Sequence, residues 1–357
     1  MAPSIQDSGS SRTEAPPARP LDGGRLRTVF LDLLGRPPLE AERETWSGRG
    51  EHELIEATLG TEEFWSHWYG EQLYYFLLID SFHPASENAR TIVPELAAGQ
   101  LNVRDALHRI ALTPSFDRRN PGADTFVTVV LEQLLGREVQ KGRGELEVGK
   151  TLYDGGSGRF LGRSGKGQSD VVRIAIEDED AMGELLARDH ERLLRQPAER
   201  RDLRRWRKEL HRDPWSYQQV VGDWLASASY ASRRDRRGTM PNRMFVRALH
   251  VDLLDRLPEE DEAQAMRAAL DGLADSRPLR SVLVRLLLDS GKAELPTRED
   301  LRTGATPWIA GRFERLLGRE PSEDELRHFA TVFHEQEECR PETIVFALLS
   351  SPEYHTY

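Results

Sequence analysis

A short phrase recurs along this chain, and an internal repeat constrains a fold more tightly than any single motif can. It stands as VFLDLLGRPP (29–38), VVLEQLLGREV (129–139), DHERLLRQP (189–197), LHVDLLDRLP (249–258) and GRFERLLGREP (311–321). Its second leucine falls at Leu34, Leu135, Leu194, Leu254 and Leu317. The last four are spaced by 59, 60 and 63 residues, and the first gap, 101, has room for one more unit. Apolar residues at helical spacing, as in Phe313, Leu316 and Leu317, predict a helix with one buried stripe. Gly35, Gly136 and Gly318 suit the left-handed residue that ends a helix, and the nearby prolines prevent its continuation. Asp255 is a tolerable substitute there, whereas Arg195 departs from the pattern.

A second helix follows each opener. Ser322 with Glu325 has the spacing of a capping box, and an apolar anchor lies 12 residues beyond the second leucine at Trp46, Trp206, Met266 and Phe329. A closing phrase also recurs, with a capping-type residue at one aligned position: Thr61, Thr113, Asp178, Ser227, Asp289 and Ser351. Each closer therefore reads as a helix, a break and a new helix start. VVRIAI (171–176) alone would pass for a strand, but its register with VVGDWLA and IVFALL argues helix. Six closers against five openers place a degenerate opener near YYFLLID (74–80).

The expected fold is all-α: an array of about five helical units of ~60 residues with one degenerate extra unit. A tail over 1–24, rich in Ser, Pro, Ala and Gly, has too little apolar surface to offset its ordering entropy and is expected to be disordered. The units then run over 25–118 (with the aromatic-rich degenerate unit), 119–182 (with a Gly-rich loop), 183–238 (basic), 239–297 and 298–357. Composition agrees. Only 38% of the 357 residues are hydrophobic, which suits thin helical layers. The net charge of −11 is unlike a typical nucleic-acid binder. One cysteine, Cys339, excludes an internal disulfide framework. No apolar run has the length of a membrane span and no signal-peptide pattern opens the chain, so a soluble, cytoplasmic protein with no membrane partner is expected.

The phrases FERLLGREPSEDEL and IVFALLSSPEY resemble a bacterial helical repeat of unknown function with an L-L-G-R-x-P opener and an S-P-E-[FY] closer, distantly similar to phycobilisome linker domains. The first unit, with LDLLGRPP (31–38) and EFWSHWYGEQL (63–73), resembles a planctomycete domain of unknown function often found beside cytochrome modules. The resemblance covers most of residues 25–357 and implies a helical fold without implying a reaction. The chain has no C-x-x-C-H haem site and no chromophore-binding cysteine pattern, so neither association carries a cofactor over.

Single motifs add little chemistry. Gly144 to Thr151 spells a Walker A string, but REVQKGR before it is no strand, and Glu145 and Glu147 would sit beside the phosphates. A helix is the plainer account. HELIE at His52 and HEQEE at His334 place Glu where a zinc-protease helix needs its second His, so no metal site is expected. Cys339 lies among acids that disfavour a thiolate.

Three groups remain as candidate sites. Trp65, Trp68, Tyr69, Tyr74 and Tyr75 are either core or, if exposed, a partner-binding surface. The Gly-rich stretch 154–168 carries Arg159, Arg163 and Lys166 and is either an anion-binding loop or a disordered insertion. Arg201, Arg204, Arg205 and Lys208 share one helix face, with RRDRR at 233–237 further on; this is either an anion-binding surface or a solvated face.

The functional expectation is a non-enzymatic scaffold that binds another protein, with no cofactor. The alternative is an anion- or nucleic-acid-binding module built on the basic unit and the Gly-rich loop. A third is an enzyme with a site in 65–100, gathering His67, Glu71 and Asp80. Finally, Arg36, Arg137, Arg256 and Arg319 follow the opener's turn, and each is expected to pair with a carboxylate of its own unit's closer.

Overall fold

The computed structural model describes residues 21–77, 87–139, 144–233 and 236–357. Residues 1–20 of the expected tail and residues 78–80 of the degenerate opener lie outside them. The described chain is predominantly helical and all-α in class, with one two-stranded hairpin. None of its helices is long and apolar enough to cross a membrane.

All five openers end as a left-handed cap requires. Gly35, Gly136, Arg195, Asp255 and Gly318 have φ of 66, 60, 55, 48 and 68°. Arg195 adopts this conformation although it carries a side chain, and its guanidinium stacks 4.2 Å over the Tyr357 ring. The first helix, Gly23–Leu34, begins inside the stretch expected to be tail, with Asp22 accepting from the Arg25 amide at 2.6 Å. Ser322 and Glu325 form the capping box. Trp46, Trp206, Met266 and Phe329 are half-buried against the cores. VVRIAI lies in the helix Gln168–Ile176, and the Walker-like string runs from the cap Gly144 into Glu145–Tyr153, with Gly149 packed on Val127 and Phe160.

The closers cap new helices or turns at Thr61, Thr113, Asp178, Ser227 and Ser351, whose side chains accept from amides two or three residues on. Asp289 does not. It is the last residue of Arg277–Asp289, its carboxylate binds Arg285, and the chain leaves through Gly291 at φ 69°.

The units do not stack simply in sequence order. One core gathers residues from Leu26 to Tyr230, and the other gathers Met240 to Tyr354 together with Leu31 of the first helix. Gly23–Leu34 therefore lies between the two cores and packs on Ala305–Leu317. Two similar buried centres fasten it. Asp32 accepts from the Tyr230 hydroxyl at 3.0 Å and pairs with Arg233 at 2.7 Å. Asp252 accepts from the Tyr354 hydroxyl at 2.8 Å and pairs with Arg27. In each case an opener aspartate meets a closer tyrosine.

Candidate interaction surfaces

The helix Glu62–Leu77 has apolar residues on most of its circumference, so it must be covered on several sides. Trp65 and Trp68 face inward, 4% and 1% exposed, and group with Tyr217 at ring separations of 5.6–6.0 Å. Trp68 Nε1 and the Tyr217 hydroxyl both donate to Asp189, at 3.3 and 2.6 Å. As surface partner-binding residues these two tryptophans are therefore corrected: they are core, because an indole at helical spacing is buried wherever a second layer covers it. Tyr75 is half-buried beneath Arg188, whose guanidinium lies 3.7 Å from its ring centre. Tyr69 is half-buried, and burial pushes its hydroxyl up to about 12. Tyr74 is 50% exposed.

Tyr69 and Leu73 instead line a groove of about 680 Å³ between Glu62–Leu77 and the helices Asn242–Leu254 and Glu260–Asp271. Val246, Leu257, Pro258 and Ala263 form the opposite wall, and Glu62, Arg243, Glu260 and Arg267 are among the charged residues around it. Gly70 leaves room for the Arg243 guanidinium, which donates to Glu71 and to His67 Nδ1 at 3.1 Å. Arg247 reaches Glu63 at 3.2 Å. These pairs fix the groove's two walls to each other. An arginine can only donate, so His67 Nδ1 accepts and the ring proton sits on Nε2. Burial and Arg243 hold His67 well below its usual range, as a neutral ring. Burial and the Arg243 charge likewise lower Arg247 to about 10. His67 and Glu71 thus meet through Arg243, while Asp80 lies outside the described residues.

The Gly-rich stretch is a β-hairpin, and the expectation of a disordered insertion is corrected. Ser157–Phe160 pairs antiparallel with Arg163–Lys166. The two central residues, Leu161 and Gly162, both have positive φ, as a type I′ turn requires. Its cations are committed locally in part: Arg159 donates to the Gly162 carbonyl, and Arg163 pairs with Glu177 at 2.5 Å. The Lys166 side chain is exposed, and its backbone amide donates to Asp170.

Arg201, Arg204, Arg205 and Lys208 are exposed on the helix Arg200–Arg212. The RRDRR run does not extend this face. Arg233 is 1% exposed against Asp32, Arg236 donates to the Leu194 and Ser229 carbonyls, and Arg237 reaches Glu353; residues 234 and 235 lie outside the described residues. The hairpin packs on Glu145–Tyr153 and Gln168–Ile176, whereas Arg200–Arg212 packs on Glu179–Leu194, so the two basic groups sit on different supports.

The arginine after each opener behaves as expected in three of four units, and sequence reasoning missed half of the arrangement. Arg36 binds Glu63 at 2.6 Å, Arg137 binds Asp178 at 3.0 Å and Asp180, and Arg319 binds Glu353 at 2.7 Å. Arg36 and Arg319 also clasp Glu42 and Glu325, the acids three residues into the second helix. Among the described residues Arg256 has only that second acid, Glu262, at 2.8 Å. Its closer supplies none because Gly291 stands where Glu63 and Glu353 stand in their units. The missed signal was the opener arginine followed six residues on by glutamate, visible in units one, four and five. Among the described residues no group of three or more His, Cys, Asp or Glu side chains is arranged to hold a metal. Comparison with family models and with curated proteins gives no match.

Proposed function

We propose that this protein is a non-enzymatic helical scaffold of repeated units, acting in the cytoplasm, that holds another protein in the groove between Glu62–Leu77 and Asn242–Leu254. The observation that supports this reading is the groove's construction. Its walls come from segments about 180 residues apart, fastened by Arg243 to Glu71 and Arg247 to Glu63. Its accessible apolar lining is Tyr69, Leu257, Pro258 and Ala263, with charges at the flanks. A trough with apolar groups along it and charges at its sides suits an amphipathic helix, which seats its apolar stripe and leaves its polar face in water.

The test is affinity capture with the tagged full chain, with and without nuclease, beside a Leu257→Glu variant. Leu257 is 38% exposed, so the change charges the groove without opening the core. A protein that survives nuclease and is lost with Leu257→Glu is the expected result. Recovery of the same proteins by both forms would sink the assignment of the groove, and loss of every partner on nuclease treatment would sink the protein-scaffold reading.

A further inference from the structure

The second helix of unit three breaks a rule that its counterparts keep. Glu40–Trp46, Glu145–Tyr153, Glu260–Asp271 and Glu323–Glu335 each open with two or three carboxylates, which suit the positive end of the helix dipole. Arg200–Arg212 opens with two arginines and carries seven Lys/Arg against two carboxylates, in a chain whose net charge is −11. Cations in a first turn oppose the positive end of the helix dipole. The sequence thus accepts a local penalty where the other units gain.

The charge faces solvent. Arg201, Arg204, Lys208 and Arg212 are exposed and make no ion pair among the described residues, whereas Arg205 has Asp202 at 3.6 Å and Arg207 is bound by Glu179 and Asp180. At 1.5 Å per residue these positions draw a cationic stripe about 16 Å long. Glu199, Glu209 and Asp213 are the other carboxylates along this segment. Where the stripe ends, Trp215 is 51% exposed. Its backbone is fixed, since the Trp215 amide donates to Asp213 at 3.1 Å and the turn Pro214–Ser216 packs on Val103–Ala111. An exposed indole three residues beyond Arg212, the last cation of the row, offers two kinds of contact, phosphate pairing and base stacking.

We infer that Arg200–Arg212 and Trp215 form a docking face for single-stranded nucleic acid, separate from the groove. A duplex hides the faces of its bases and would use the cations alone. An unpaired strand uses both features, its phosphates on the stripe and a base face on the indole. The stripe supplies the salt-dependent part of the binding and Trp215 the stacking part.

The experiment is fluorescence anisotropy of a labelled oligothymidylate titrated with the full chain over a range of salt. The forms compared are wild type, an Arg201→Gln/Arg204→Gln/Lys208→Gln variant and Trp215→Leu, all surface changes checked by thermal unfolding. The triple variant is expected to bind at least tenfold more weakly, with the slope of log K against log salt reduced by about 2, from ~0.7 per phosphate contact. Trp215→Leu is expected to weaken binding roughly tenfold with the slope unchanged. Absence of binding by wild type at low salt, or a triple variant that binds as well as wild type, overturns the proposal. A duplex bound as tightly and indifferent to Trp215→Leu overturns the single-strand assignment, and so does equal affinity for polyglutamate.

Discussion

Arg27 and Asp252, 225 residues apart in sequence, form a buried bidentate ion pair with Nη1–Oδ1 and Nη2–Oδ2 distances of 2.9 and 2.8 Å. The pair joins the first helix to the second core, and the Tyr354 hydroxyl completes the carboxylate's bonding. Removing one partner strands the other charge away from water. Asp252→Ala is therefore expected to cost about 3–5 kcal/mol in chemical denaturation. The double change Arg27→Met/Asp252→Leu should cost less than the single one, because it no longer strands the Arg27 charge, and the loss that remains includes that of Arg43, which lies 3.8 Å from the Asp252 carboxylate. A single-variant loss below ~1 kcal/mol would show that the pair does not fasten the two cores.

Gly318 and Gly48 separate conformation from packing. Both have positive φ, 68 and 75°, so alanine at either is strained by roughly 1–2 kcal/mol. A Cβ at Gly48 meets nothing within 4 Å, whereas at Gly318 it lies 3.0 Å from the Gly24 Cα of the first helix. Backbone cannot swing aside as a side chain can. Gly318→Ala should lower Tm clearly more than Gly48→Ala, and equal shifts would mean that the first helix yields freely.

Much of this architecture was written locally. The left-handed caps, the capping box at Ser322 and the helix at VVRIAI depend on residues within a turn or two of each other, and local rules find them. Arg195 shows the limit: position in the repeat specified its conformation where residue type argued against it. What remained hidden depends on distant partners. RRDRR looks like surface charge until Asp32, 201 residues from Arg233, comes to meet it. Trp65 and Trp68 could have been surface or core, and only the arrival of Tyr217 decides. The groove was illegible for the same reason, because its walls belong to different units. The Gly-rich stretch was misread because its glycines suggest freedom, while Leu161-Gly162 sets a hairpin turn.

Stability should fall as the solution is acidified through the histidine range. Burial lowers His67, His108, His190, His250 and His355 below the ordinary value of 6.5. A lowered folded value means that the unfolded chain takes up the proton first. The stability tied to neutral rings is complete above pH 6.5 and is lost as pH falls below it. Tm should drop between pH 7.5 and 5, and His67→Gln, which cannot take up that proton, should flatten part of the slope. A Tm unchanged across that range would contradict the buried neutral rings.

The two-acid clamp at Arg319 and its one-acid relative at Arg256 provide a built-in comparison. Arg319 spreads its guanidinium over Glu325 and Glu353 with four contacts of 2.7–2.8 Å, and Nη1 also reaches the Glu320 carbonyl at 3.1 Å. Arg256 makes the matching contacts to Glu262 and the Leu257 carbonyl, and among the described residues nothing replaces Glu353. Lysine keeps the charge but cannot present a planar fork to two carboxylates. Arg319→Lys should therefore cost about 1–2 kcal/mol, and Arg256→Lys roughly half as much. In a double-mutant cycle, Arg319→Lys should couple to both Glu325→Gln and Glu353→Gln, whereas Arg256→Lys should couple to Glu262→Gln alone. If the two lysine variants cost the same, the closer carboxylate adds nothing, and the clamp is no more than a helix cap.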